Sequence, residues 1–202
     1  MPELAAVIIE TRNIEGLNSI VNNHMDFLPS YTKLYHFGNE PLTGINYNYN
    51  FIKIESKLLL DEYNYFLTSL FFWNKIEEEN VLIFQHDSII LRNNIEDFYE
   101  FDFIGAPIAG EQPSTMNGGL SFRHKSSMIE VLKNFYYDIV VNEHEDGFFC
   151  RKLKELGMNK AIDNFDNNFC VDNVFKLGSF GVHGLGVRLK DDEYNTILNQ
   201  YK

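Results

Sequence analysis

Four segments within Val81 to Cys150 decide the reading of this chain: VLIFQHDSIILR at 81–92, FDFIGAP at 101–107, NGGLSFR at 117–123 and HEDGFFC at 144–150. The run VLIF is short, wholly apolar and rich in β-formers, so it reads as a buried strand, and the acid Asp87 follows its end. The second segment predicts a strand over Phe101 to Ile104, closed by Gly105-Ala106-Pro107. In the third, Gly118-Gly119 opens a further strand, Leu120 to Arg123. In the fourth, Glu145-Asp146 starts a helix whose Phe149, Leu153 and Leu156 fall on one face and whose stop is Gly157.

The pattern continues toward the N-terminus. Leu4 to Ile9 is a second buried strand, and Asn13 is placed to cap a helix carrying Leu17, Ile20 and Val21 on one face. Lys33 to Phe37 is the next strand, ended by Gly38-Asn39, which completes a βαβ unit with parallel strands. Glu40 to Tyr49 reads as a loop and Leu58 to Trp73 as one or two buried helices. Ile95 to Tyr99 reads as a helical turn and Gly110 to Asn117 as a polar loop. Ser127-x-x-Glu130 is a capping box ahead of Val131, Leu132 and Phe135. A short helix ends the tail after Phe180 to Gly184. Alternating strands and helices predict an α/β fold with a mixed, mostly parallel sheet flanked by helices, one domain over 1–202. Ligands in such sheets lie beyond the carboxyl ends of the strands. Thr11-Arg12, Gly38, Asp87 and Gly105 all follow predicted strands and are expected to line one crevice.

Charge narrows the partners. Seventeen Lys and Arg against 29 Asp and Glu give a net charge of −12 with no basic cluster, which argues against nucleic acid. An acidic protein that binds a diphosphate must neutralise it locally, and a divalent metal is the obvious device. No run approaches the ~20 apolar residues of a membrane span. The run near the N-terminus meets Glu10 and Arg12 at once, so it reads as a strand and not a targeting signal. Cys150 and Cys170 match no zinc spacing and read as buried thiols, and no N-x-[ST] site occurs despite many Asn, both of which suit a cytoplasmic setting. The 15% aromatic content predicts an aromatic core and stacking surfaces for a base or sugar.

Each candidate site residue has two readings. Asp87 at a strand end can reach a hard cation, or it can bond a local turn. Gly118 and Gly119 allow close approach of backbone to a ligand, with Asn117 on sugar hydroxyls, or they form a tight turn or bulge. Asp146 can act as a general base, or can be a helix N-terminal charge. His183, between glycines in FGVHGLG, can bind metal or phosphate, or be structural. Arg12 can hold phosphate or stack on a base, or pair with a nearby acid. No G-x-G-x-x-G, Walker A or G-x-S-x-G pattern is present.

Taken in order, VIIETR, YHFGN, LIFQHDSIIL, FDFIGAP, MNGGLSFR and NEHEDGFFC resemble a family of GT-A-type glycosyltransferases catalogued as a domain of unknown function, with members in large DNA viruses, fungi and bacteria. The resemblance covers roughly Val7 to Phe149. It implies a GT-A, Rossmann-like sheet, a nucleotide-sugar donor such as a UDP-sugar, and hexosyl or deoxyhexosyl transfer to a glycan or other hydroxyl acceptor. Asp87 resembles the last acid of the Asp-x-Asp metal motif, although Gln85 stands where the first acid is expected. Asp146 resembles the base of inverting members, and His183 the C-terminal histidine given to the metal, Mn2+ or Mg2+. Thr11, Arg12, Gly38, Gln85, Asn117, Gly118 and Gly119 fall to the donor. The expected activity is inverting, metal-assisted sugar transfer. The rival expectation is a non-catalytic nucleotide-sugar or glycan binding module, favoured by Gln85. A nucleotidyltransferase would want a basic, glycine-rich signature near the first strand, and only Arg12 is offered.

Overall fold

A computed structural model describes residues 3–108, 115–141, 143–158, 168–173, 176–184 and 190–199. The fold is α/β. A six-stranded sheet has the order β3-β2-β1-β4-β7-β6, formed by β1 (Leu4–Ile9), β2 (Lys33–Gly38), β3 (Tyr49–Lys53), β4 (Asn80–Phe84), β6 (Phe103–Pro107) and β7 (Met116–His124). Strands β3, β2, β1 and β4 are parallel, while β7 runs antiparallel to both β4 and β6. The sheet is therefore mixed and mostly parallel. Every residue of β1 and β4 is buried, as their unbroken apolar runs require of central parallel strands.

A small sheet, β5 (Ser88–Ile90), β9 (Gly181–His183) and β8 (Cys170–Val171), hangs beyond the end of β4. Its β5–β9 register sets Ser88 opposite His183, which carries the tail histidine back to the Asp87 turn.

Helices α1 (Leu17–Phe27), α2 (Leu60–Leu67), α3 (Leu70–Trp73), α4 (Lys125–Asn134) and α5 (Glu145–Glu155) flank the main sheet, and α6 (Asp191–Asn199) lies near the C-terminus. No helix among the described residues is long and apolar enough to cross a membrane. Aromatic rings build the core: Trp73 meets Phe72 at 5.0 Å and Phe149 at 6.1 Å, and Phe72 meets Phe37 at 5.1 Å. Cys150 and Cys170 are buried and unpaired.

Four local expectations need correction. Asn13 does not cap α1; Gly16, in the left-handed region at φ 77°, turns the chain into the helix. The segment read as a loop up to Tyr49 leads into β3, a half-buried edge strand. Ser127 lies inside α4, which begins at Lys125, and its hydroxyl donates to Asp102 Oδ1 at 2.6 Å. Strand β7 begins at Met116, so Asn117, Gly118 and Gly119 belong to the strand and not to the loop before it. Most of that expected loop, 109–114, lies outside the described residues. Helix α5 is as expected: Phe149 and Leu153 are buried, and Gly157 at φ 69° ends it, with Met158 N–H donating to Leu153 O at 2.9 Å.

Candidate functional site

Strands β1, β2 and β4 run the same way, so their carboxyl ends share one edge of the sheet. Antiparallel β7 starts at that same edge, since Phe84 is paired with Leu120 and Gln85 N–H donates to Gly119 O at 2.8 Å. Three hollows lie along this edge. The first, about 610 Å³, is lined by Glu10, Arg12, His36 and Asn39 among others. The second, about 390 Å³, shares Glu10, Thr11 and Arg12 with the first and adds Lys57, Tyr63, Gln85 and His86. The third, about 750 Å³, shares Tyr63 and Gln85 with the second and is lined by Asn117, Gly118, Gly119, Asp146 and His183. Shared walls make them one crevice, and each hollow has the size that small-molecule ligands use.

In the third hollow, Asp146 is half-buried at the first turn of α5. Its Oδ2 accepts from Gly118 N–H at 2.9 Å and its Oδ1 from Gly147 N–H at 2.7 Å. Those bonds fix the carboxylate toward the cavity and leave lone pairs on both oxygens. Glu145, the neighbouring acid, is turned into the protein. It takes two bonds from the buried Arg123, at 2.6 and 2.8 Å, and the guanidinium also lies 4.6 Å from the Phe103 ring centre. Burial raises the Glu145 carboxyl above its ordinary range while Arg123 pulls it back. With both oxygens committed, Glu145 is not a free base.

The glycine pair is explained by the protein's own side chains. A Cβ on Gly119 would stand 2.0 Å from His183 Nε2, and one on Gly118 would stand 2.5 Å from Glu145 Oε1. Both glycines let β7 approach packed functional groups. Asn117 Oδ1 accepts from Gly119 N–H at 2.8 Å, and its amino group has no partner among the described residues.

At the end of β4, His183 Nε2 lies 3.2 Å from Gln85 Oε1 and 3.4 Å from Asp87 Oδ1, and its Nδ1 lies 3.3 Å from Asp172 Oδ2. Burial opposes the charged imidazole, but the two carboxylates outweigh it and hold His183 up at about 9. Burial would likewise raise Asp87, yet His183 holds it below the usual carboxylate range. Among the described residues, no group of three or more His, Cys, Asp or Glu is placed to hold a metal ion. The reason is geometric: Asp172 sits on the far ring nitrogen and cannot share an ion bound at Nε2. The nearer groups do suit a divalent cation. Asp87 Oδ1 is buried without a hydrogen bond of good geometry, and it converges with His183 Nε2 and Gln85 Oε1. Asp172 would then orient the ring from behind, as outer carboxylates do for ligating histidines.

Around the first two hollows, Thr11 Oγ1 accepts from Leu58 N–H at 2.9 Å and so anchors the segment before α2 to the end of β1. Arg12 pairs with Glu10, donating from Nε at 2.8 Å and from Nη2 at 2.7 Å, and remains 44% exposed. Gly38 lines none of the three hollows among the described residues; its missing Cβ makes room for the His36 ring, 2.3 Å away, and for Glu10 O. Asp87 is likewise absent from the lining and lies beside His183.

The site thus defines an α/β protein with a polar crevice at the carboxyl edge of its sheet. The chain belongs to the family described as "Protein of unknown function (DUF5672)", whose model matches residues 48–183 and so spans both β4 and the His183 strand. No curated protein matches the chain.

Proposed function

We propose that the chain is a GT-A-type glycosyltransferase that moves a sugar, hexosyl or deoxyhexosyl, from a nucleotide-diphosphate sugar such as a UDP-sugar to a hydroxyl acceptor, with inversion and with help from a divalent metal. The observation that carries this is Asp146: a carboxylate fixed by Gly118 N–H, lining the same hollow as Gln85, Asn117 and His183, while its neighbour Glu145 is consumed by Arg123. In the reaction, Asp146 takes the proton of the acceptor hydroxyl as its oxygen forms a bond to the anomeric carbon. The bond from that carbon to the phosphate oxygen breaks, and its electron pair leaves with the nucleoside diphosphate. The amino group of Asn117 is available to a sugar hydroxyl. Asp87 and His183, with the Gln85 oxygen, would hold Mn2+ or Mg2+, which supplies charge neutralisation for the departing diphosphate.

A second reading, a nucleotide-sugar or glycan binding module without turnover, is favoured by one observation. Gln85 gives the cation site no charge, and His183 between Asp87 and Asp172 can itself serve as the cation there.

Thermal unfolding with a panel of nucleotide sugars, with and without manganese, tests the proposal, because a ligand of the folded state stabilises it by about 2.7 kcal/mol at a hundredfold excess over Kd. Asp87→Asn should abolish the manganese-dependent part of the shift and leave the fold intact. No shift with any nucleotide sugar, or an equal shift in chelator and in the variant, contradicts the assignment.

A further inference from the structure

The second hollow is the place where this acidic chain turns donor-rich. Thr11 Oγ1 holds Leu58 N–H at 2.9 Å, and this sets the adjacent Lys57 against the end of β1, where it lines the hollow together with Arg12, His86 and Tyr63. The Lys57 ammonium has no partner among the described residues, although the chain carries a net charge of −12. Arg12 spends Nε and Nη2 on Glu10 and keeps Nη1 uncommitted. Arg12 Nη2 also lies 3.1 Å from His86 Nδ1, which stands 3.4 Å from Glu10 Oε2; a guanidinium can only donate, so His86 Nε2 is left as an N–H without a partner among the described residues. Tyr63 accepts from Gln85 Nε2 at 3.1 Å, so its own O–H is a donor to spare, and burial keeps that hydroxyl protonated. The one carboxylate in the wall, Glu10, is buried, with both oxygens already taken by Arg12.

We propose that this hollow is an oxyanion site that takes phosphate groups, with Lys57, Arg12 Nη1, His86 Nε2 and Tyr63 O–H as its donors. Four side chains 6 to 74 positions apart in sequence present N–H or O–H groups beside a carboxylate already taken by Arg12, which favours an anion over a sugar or a base. Taking that anion to be the diphosphate of a nucleotide sugar rests on the function proposed above; the donor set itself does not.

Calorimetric titration with inorganic pyrophosphate, and separately with inorganic phosphate, tests the site in magnesium buffer and in chelator. The wild type should bind pyrophosphate more tightly than phosphate. Lys57→Gln and His86→Ala should each weaken pyrophosphate binding about tenfold or more in either buffer, the scale of one charge-assisted hydrogen bond. Lys57 is exposed, so an unchanged unfolding midpoint will show that its variant folds. Lys154→Gln, on the far turn of α5, should bind as the wild type does and so excludes a general charge effect. The site is overturned if the wild type binds neither anion, if both variants bind with wild-type affinity, or if Lys154→Gln loses as much as Lys57→Gln. Pyrophosphate binding that depends on Lys57, in a protein that transfers no sugar, would uphold the site and remove only the proposed reaction.

Discussion

Replacing Arg123 with leucine should cost more stability than any other single change near the crevice. Arg123 is fully buried and Glu145 is 4% exposed, and the two share bonds of 2.6 and 2.8 Å. Removing one partner leaves a buried charge with no counter-charge, which costs about 3–5 kcal/mol. That is a large part of the 5–15 kcal/mol typical of a folded domain. Glu145→Leu strands the guanidinium and should cost a similar amount, softened by the Phe103 ring beneath it. The double variant Arg123→Leu/Glu145→Leu removes both charges and should recover to within about 2 kcal/mol of the wild type. Urea unfolding followed by Trp73 fluorescence is a suitable assay, because the chain's one tryptophan is buried against Phe149. The Arg123→Leu deficit should also shrink as the pH falls, since burial already favours the neutral form of Glu145 and a protonated acid is cheaper to bury alone. A double variant as unstable as the worse single one would refute the reasoning, because the cost would then lie in packing and not in the unpaired charge.

His24 supplies a pH prediction. Fully buried and stacked on Phe84 at 4.1 Å, it is held down at about 4 by burial, with its bond to Ile20 O opposing in part. The unfolded chain protonates near pH 6.5, so stability present above that value is lost as the pH falls toward 4, by about 3 kcal/mol in all; His24→Leu should flatten this part of the urea-midpoint profile, and an unchanged slope would show that other groups carry it. Gly119→Ala puts a Cβ 2.0 Å from His183 Nε2, so it should lower stability by about 1–3 kcal/mol and loosen the His183–Asp87 contact. A variant with the wild-type melting temperature would show that His183 can swing aside freely.

What was legible in the sequence follows the range of the interactions. The buried runs at Leu4 to Ile9 and Val81 to Phe84 announced central strands, and Gly157 announced the end of α5. Gln85, Asn117, Gly118, Gly119, Asp146 and His183 line one hollow because each flanks a strand or helix end that the topology brings to one edge. Strand β3 was not legible: Tyr49-Asn50-Phe51 is an edge strand formed by pairing with β2, directly after a segment whose Pro41, Gly44 and asparagines read as loop. Nor was the Arg123–Glu145 pair, which joins residues on β7 and α5 and shows only as a lone basic residue in a strand and one of two adjacent acids. Asp172 behind His183 and Tyr63 beneath Gln85 were missed for the same reason. In sequence Gly38 falls to the donor, but its missing Cβ makes room for the His36 ring.

The most direct test of the central claim is single-turnover sugar transfer by Asp146→Asn beside the wild type, with donor affinity measured in parallel. Asparagine keeps the size of the side chain and an oxygen for the Gly118 N–H, but removes the basicity. The account predicts donor binding close to wild type and transfer slowed by roughly 10²-fold or more, the scale of a general base. Glu145→Gln should slow transfer less, since Glu145 is bound to Arg123 and does not meet the acceptor. Transfer at the wild-type rate by Asp146→Asn, or donor binding by the wild type with no transfer to any hydroxyl acceptor, would contradict it.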